Sequence, residues 1–420
     1  MPHFPKPAAG SWTESYPELG TAPVNYSDSI DPEHYAKEQE AIFKHSWLNV
    51  GRMDKLPKKG SYFTKEIAVA KASIILVRGK DDVVRAFHNI CRHRGNKLVW
   101  NDYPGEEVSG SCRQFTCKYH AWRYAQNGDL TFIQQEDEFF DVDKADYPLK
   151  PVRCEVWEGF IFVNFDDDAK PLKESMGDFG KGLEGYPFHE MTEHYSYRAE
   201  IKSNWKLFID AFIEFYHAPI LHANQSPTAY SKAAAEAGFE APHYRLDGPH
   251  RLVSTSGVRV WEMSAEMRKP IEDICRSGLF GPWDSPDLGP MPDGLNPAKC
   301  DPWGLDSFQL FPNFVILFWG QGWYLTYHYW PTSYRSHIFE CTLYFPAPRT
   351  ARERVAQELA AQSFKEYGLQ DANTLEATQS SLETRVVGEF LYCDQEILLR
   401  HLHTETANWI ADYQTKTAGV

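Results

Sequence analysis

The chain has 420 residues, of which 42% are hydrophobic, 15% aromatic and 24% charged, fractions that fit a folded protein of two or three domains and argue against disorder. Its net charge of −15 disfavours nucleic acid and anionic membrane as partners, and no apolar run approaches the ~20 residues of a bilayer-spanning helix. The opening Met1-Pro-His-Phe-Pro-Lys-Pro-Ala lacks the apolar core of a secretory signal, so a cytoplasmic location is expected, and the eight cysteines are too sparse for a disulfide scaffold and read as thiols or metal ligands.

Residues 1–30, rich in Pro, Gly, Ser and Thr, read as an extended arm. Residues 31–48 look helical, with Asp31 as N-cap and Pro32 at the first helical position. From Trp47 to about Phe165 the pattern changes to short strands, Ala68–Val77, Val83–Ile90 and Glu155–Asn164, separated by turn residues such as Asn127-Gly128. These are the marks of a small antiparallel β-domain. Ile201–Tyr216 returns to helical spacing, with Trp205, Phe208, Phe212, Ile213 and Tyr216 recurring three and four apart. The Pro/Gly-rich stretch 280–304 reads as a surface excursion. Strand-like runs follow at Ser307–Trp319, Trp323–Trp330 and His337–Phe345, and then a helical zone over 350–413 that includes Ala351–Tyr367 and Leu369–Ser380. The expected division is an N-terminal arm and helix over 1–44 that pack on the last domain, a β-rich domain over 45–160 and a larger domain over 161–420.

Two cysteines stand out from the rest. Cys91-Arg-His93 is followed, after 23 intervening residues, by Cys117-Lys-Tyr-His120. Two thiolates and two imidazoles in paired short motifs suit either a Cys2His2 zinc site or a [2Fe–2S] centre of the Rieske type, in which two His replace two Cys on one iron. Common zinc motifs pair Cys with Cys and His with His. Here each loop offers one of each, which suits the cluster better. Cys112 lies close by but has no His three residues later.

A second constellation is Asn204-Trp-Lys-Leu-Phe-Ile-Asp210-Ala-Phe-Ile-Glu214-Phe-Tyr-His217-Ala-Pro219-Ile-Leu-His222. Two imidazoles five apart on an ideal helix diverge by ~140°. Pro219 between them disturbs the helix and lets the rings converge. Two imidazoles and one carboxylate make a face that holds Fe(II) and leaves coordination positions open. The carboxylate must come from elsewhere, and Asp371 or Glu376 in Gly368-Leu-Gln-Asp371-Ala-Asn-Thr-Leu-Glu376-Ala-Thr-Gln379 can supply it.

The loops Phe87-His-Asn-Ile-Cys91-Arg-His93-Arg94-Gly95 and Phe115-Thr-Cys117-Lys-Tyr-His120-Ala-Trp122 resemble the two cluster-binding loops of the Rieske non-haem iron aromatic-ring-hydroxylating oxygenases, catalytic (alpha) subunit. The stretch around His217 resembles the same family's D/E-x2-H-x4-H motif, and the stretch around Asp371 resembles its C-terminal Q-E-D-x4-E-x2-Q, with the middle acid missing. The resemblance implies an α+β fold, a β-rich Rieske domain joined to a helix-grip (Bet v1-like, START-like) catalytic domain with an antiparallel sheet. It implies Cys91 and Cys117 on the inner iron of the cluster and His93 and His120 on the outer one. His217, His222 and Asp371, with Glu376 as the alternative, fall on the mononuclear iron. Glu214 falls on the acidic bridge to a neighbouring subunit's cluster, and Asn204 on a position near the metal. An NAD(P)H-dependent reductase, with or without a ferredoxin, a homotrimer, with or without a small beta subunit, and a small hydrophobic or aromatic substrate hydroxylated with O2 are implied as well. The apolar residues Phe208, Phe212, Ile213, Ile220 and Leu221, and Leu310, Phe311, Phe314, Phe318 and Trp319, are expected to divide between core and substrate pocket. Phe311-Pro-Asn313 resembles a strand that lines the family's active site. An N- or O-demethylase of the same family is the alternative activity. A Rieske electron-transfer protein without oxygenase activity, and a zinc-stabilised binding module, are the rival classes.

Overall fold

A computed structural model describes residues 10–223, 241–257, 269–278, 281–320 and 322–418. The first nine residues of the expected arm and residue 280 of the expected excursion lie outside these. The chain divides into two compact units, Phe43–Ser175 and a second made of residues 1–42 with Met176–Val420.

The unit Phe43–Ser175 is all β apart from short helical turns. Seven strands form one sheet in the order Leu48–Arg52, Phe160–Asn164, Pro151–Trp157, Val84–His88, Ala72–Arg78, Ser61–Ile67 and Ser109–Ser111. A second, three-stranded sheet holds Gln114–Thr116, Arg123–Ala125 and Leu130–Phe132. Two expected strands are redrawn. The run Glu155–Asn164 is a hairpin, because Glu158 and Gly159 take φ of 48° and 83°, the pair of left-handed residues that a tight hairpin turn requires. The run from Ala68 starts as a 3-10 turn, and its strand begins at Ala72 after Lys71 adopts φ of 53°. Ser109–Ser111 pairs with Ser61–Phe63 at the sheet edge, which gives the insert between the two Cys/His loops a structural place. Cys112 beside it packs, half-buried, against the apolar core of the unit.

In the second unit, seven antiparallel strands run in the order Glu193–Ile201, Ser336–Phe345, Trp323–Ser333, Phe314–Trp319, Trp303–Leu310, His250–Ser256 and His243–Asp247. The expected run Ser307–Trp319 is two of these strands, turned through Phe311-Pro312-Asn313, where Asn313 Nδ2 donates to the Tyr329 carbonyl at 2.9 Å. Five helices matter below: α1 (Pro32–Glu38), α2 (Trp205–Asp210), α3 (Ala218–Leu221), α4 (Ala351–Leu382) and α5 (Ile397–Ala418). Helix α4, which joins the two helical stretches expected on either side of Gly368, is continuous over 32 residues. A mid-helix Gly costs only about 1 kcal/mol relative to Ala, which the packing of α4 on α2 and on Glu193–Ile201 outweighs. The expected helix Ile201–Tyr216 is shorter at both ends. Ile201 closes a strand, and the helix begins only where Asn204 Oδ1 accepts from Lys206 N at 2.9 Å, the N-cap geometry that stops backward extension.

Candidate active site

The two Cys/His loops of the β unit share one backbone pattern. The Cys91 carbonyl accepts from Gly95 N and Cys91 N donates to the Asn96 carbonyl. The Cys117 carbonyl accepts from Ala121 N and Cys117 N donates to the Trp122 carbonyl. Gly95 and Ala121 close the two turns with φ of 72° and 58°. Ala121 holds a conformation that favours glycine, so the tight turn is enforced by its surroundings. Both thiols are buried, whereas His93 and His120 are half-exposed. The imidazole rings meet edge to face at 4.6 Å, and His93 stacks on Trp122 at 5.0 Å. Burial pushes the Cys91 thiol up, and the neighbouring Cys117 adds to the shift. Tyr124 Oη sits 3.5 Å from Cys91 Sγ, and Asn96 Nδ2 donates to Cys117 Sγ at 3.8 Å. His93 Nδ1 is buried without a hydrogen-bond partner. Two sulfurs inside, two imidazoles outside and an orphaned ring nitrogen fit a two-iron cluster with a sulfur end and a nitrogen end.

In the other unit, His217 is the N-cap and His222 the C-cap of the single-turn helix α3. That placement resolves the spacing problem: neither ring stands within a long helix, and Pro219 occupies an early position that asks for no backbone donor. His217 Nε2 and His222 Nε2 come within 3.3 Å. Asp371 Oδ1, from the middle of α4, lies 3.7 Å from the first and 3.5 Å from the second. These three ligand atoms form a group within 4.8 Å that could hold a metal ion. Asp371 is buried, its Oδ1 accepts no hydrogen bond, and burial pushes its carboxyl up to about 7. An orphaned buried carboxylate facing two imidazole nitrogens fits a dication, which would compensate the charge.

The outer nitrogens are also held. His217 Nδ1 bonds to Glu214 Oε1, and His222 Nδ1 lies 2.7 Å from Gln370 Oε1. Burial pushes the His217 imidazole down, but the Glu214 hydrogen bond and charge outweigh it and leave it raised. Glu376, the alternative to Asp371, points elsewhere and accepts from Lys202 N at 2.9 Å. Asn204 has hydrogen-bond partners of its own. Its Oδ1 caps α2 and its Nδ2 donates to the Tyr334 carbonyl at 2.7 Å, so the carboxamide is committed to backbone and serves as a structural cap.

The aromatic wall also differs from expectation. Phe208 and Phe212 join Tyr327, Tyr329 and Phe339, with Phe212 and Tyr327 at 4.8 Å and Tyr327 and Phe339 at 5.3 Å. Burial pushes the Tyr197, Tyr327 and Tyr329 hydroxyls up and the charge of Asp371 adds to the shift, which puts these side chains within electrostatic reach of the two-His, one-carboxylate set. By contrast, Phe318 packs with Tyr186 and Phe308, and Phe311 stacks near Trp409 of α5. Ile220 is 69% exposed. The tyrosines escaped the sequence reading because alternate positions on a buried strand carry no mark of what they face.

The sequence matches the family described as Ring hydroxylating alpha subunit (catalytic domain) over residues 188–412 and the Rieske [2Fe-2S] domain over residues 46–148. The chain belongs to the Rieske ring-hydroxylating oxygenase alpha-subunit family. The carnitine monooxygenase oxygenase subunit of Escherichia coli K12 is 35% identical over 210 residues, 49% of this chain and 53% of that protein. The large oxygenase component of the naphthalene 1,2-dioxygenase system of Pseudomonas aeruginosa is 34% identical over 219 residues, 50% of this chain and 47% of that protein. The chain thus spans about half the length of these curated relatives. A crystal structure of a quaternary ammonium Rieske monooxygenase in complex with an inhibitor superposes with a TM-score of 0.72 at 20% identity, covering 94% of this chain and 97% of that one. The family's fold, a Rieske domain with a catalytic domain of helices on an antiparallel sheet, is the fold expected from the sequence.

Proposed function

We propose that this chain is the oxygenase component of a Rieske oxygenase system that hydroxylates an N-methylated or quaternary ammonium compound. The observation that carries the oxygenase reading is the pair of donor sets in separate units: two buried thiols with two outer imidazoles, and two imidazoles facing an orphaned buried carboxylate. Cys91, Cys117, His93 and His120 would hold the cluster. His217, His222 and Asp371 would hold the mononuclear iron. Bound there, the cluster supplies electrons and the ferrous ion supplies dioxygen binding and activation. A monooxygenation balances as R–H + O2 + 2e− + 2H+ → R–OH + H2O. The residues around the site do the rest. Glu214 accepts the Nδ1 proton of His217, fixes the ring and forms the last link toward an incoming electron. The aromatic side chains keep bulk water from the reacting carbon.

The substrate class rests on the carnitine relative together with the wall itself. Phe212, Tyr327, Tyr329 and Phe339 pack as one aromatic cluster, and the Asp371 charge reaches Tyr327 and Tyr329, a combination that would suit a methylated ammonium through cation–π attraction. Hydroxylation of a carbon on nitrogen then splits the molecule, so oxidative N-demethylation belongs to the same reading. The naphthalene dioxygenase relative favours a second reading, an apolar aromatic substrate taken to a dihydrodiol or phenol. An NAD(P)H-dependent reductase, with or without a ferredoxin, is the electron source. A second copy of the chain is the partner at Glu214. Tyr216, 56% exposed, precedes His217 in the chain, and Tyr119, 55% exposed, packs on His120; a closed ring of copies, most simply a trimer, is the assembly this reading carries.

The test is product analysis with reduced enzyme, O2 and a matched panel of quaternary ammonium, N-methyl, O-methyl and aromatic compounds. Aldehyde or amine release from the ammonium compounds is expected. Oxygenated products from the aromatic compounds alone transfer the assignment to the second reading.

A further inference from the structure

We infer that Gln370 is the positioning residue for the iron ligand His222, an inference that rests on the proposed iron set. Helix α4 meets His222 with three residues on one face. Tyr367, Gln370 and Asp371 stand at positions i, i+3 and i+4, which one side of a helix presents together. The Tyr367 ring packs edge to face on the His222 ring at 4.9 Å. Gln370 Oε1 sits 2.7 Å from Nδ1, and Asp371 Oδ1 sits 3.5 Å from Nε2. One helix therefore supplies a ligand and also aims a second ligand that is 149 positions away in sequence.

The chemistry of the contact fixes the tautomer. An imidazole that binds metal through Nε2 must carry its proton on Nδ1. That N–H needs an acceptor, and the carboxamide oxygen of Gln370 is one. The two imidazoles then differ in their partners, because His217 leans on a carboxylate, Glu214, and His222 on a neutral amide. The difference keeps the local charge low. Two carboxylates, Glu214 and Asp371, suffice to balance a dication, whereas an acid at the half-buried position 370 would add a third. Such partners of metal-bound His typically change metal affinity by about 10- to 100-fold.

The test is anaerobic titration of the full-length, cluster-containing protein, stripped of mononuclear iron, with Fe(II) and, for its visible spectrum, Co(II). Gln370→Met keeps length and helix propensity but removes the acceptor, and Gln370→Glu restores it. The Met variant is expected to bind about 10- to 100-fold more weakly, with a shifted Co(II) spectrum and unchanged cluster absorbance. The Glu variant is expected to bind at least as tightly as the unaltered protein. Equal affinity and equal Co(II) spectra for the Met variant and the unaltered protein would overturn the inference while leaving the iron set intact. His222→Ala is the control for that set. Unchanged stoichiometric binding in His222→Ala would remove the proposed iron ligands and this inference together.

Discussion

Glu214 and Asp371 place two carboxylates around one pair of imidazoles, yet their surroundings divide the work. Asp371 is buried with an oxygen that accepts no hydrogen bond, whereas Glu214 already bonds the ring and backbone of His217. Asp371→Asn should therefore lose the mononuclear iron and keep the cluster's visible absorbance, while Glu376→Gln should keep both. Iron analysis beside an absorption spectrum decides, and iron loss in the Glu376 variant would reverse the choice of ligand. Glu214→Gln leaves an oxygen to accept the Nδ1 proton but removes the charge. Both metals should stay bound while turnover falls by about 10- to 100-fold; turnover within twofold of normal would take Glu214 out of the electron path. That His217, His222 and Asp371 would be candidates for one metal was legible in the sequence, and the fold brings them together, because metal chemistry restricts both residue type and spacing. Gln370 was not, because a neutral amide on a long helix has the same residue type in many bland roles. The capping role of Asn204 was not legible either, because its neighbours carry the family motif and draw the reading toward the metal, while its carboxamide caps a helix.

At the scale of elements, helices α1, α2 and α5 are joined by buried charge. The Lys206 ammonium on α2 reaches Glu38 on α1 and, at 3.0 Å, the Asp28 carbonyl. His403 on α5 stands between Asp28, 2.7 Å from its Nδ1, and Asp210 at the end of α2, 3.4 Å from its Nε2. Burial alone pushes the His403 imidazole down, but the two carboxylates overcome it and hold it up at about 10. A histidine whose folded value lies above its unfolded value of about 6.5 stabilises fully below that value and loses its contribution as pH rises toward 10. Thermal stability should therefore decline between about pH 6.5 and 10, and His403→Gln, less stable at neutral pH, should flatten that decline. Parallel curves for the two proteins would mean that His403 does not stay protonated in the fold. None of this network shows in the sequence, because Asp28, Glu38, Lys206, Asp210 and His403 come from four separate stretches. The strands were read where alternation and turn residues agreed. They were misread at Glu158-Gly159 and at Phe311-Pro312-Asn313, where a tight turn sits inside an apolar run.

At the scale of the whole molecule, the two donor sets belong to different compact units, and the proposed function requires an electron path between them. If that path crosses from one copy to the next, two crippled chains should repair each other. Cys91→Ser has no cluster and His217→Ala has no mononuclear site, so each should be inactive alone. Mixed oligomers carrying both, isolated through two affinity tags, should recover a substantial fraction of turnover. Silence in verified mixed oligomers would place the path within one chain.

The proposed function requires two distinct iron centres in one polypeptide, and metal analysis with acid-labile sulfide and electron paramagnetic resonance tests that most directly. The expected result is about three irons and two sulfides per chain, with the signal of a cluster ligated by two histidines and a separate ferrous site that a chelator removes first. Zinc in place of iron, or a single class of iron without labile sulfide, would contradict it.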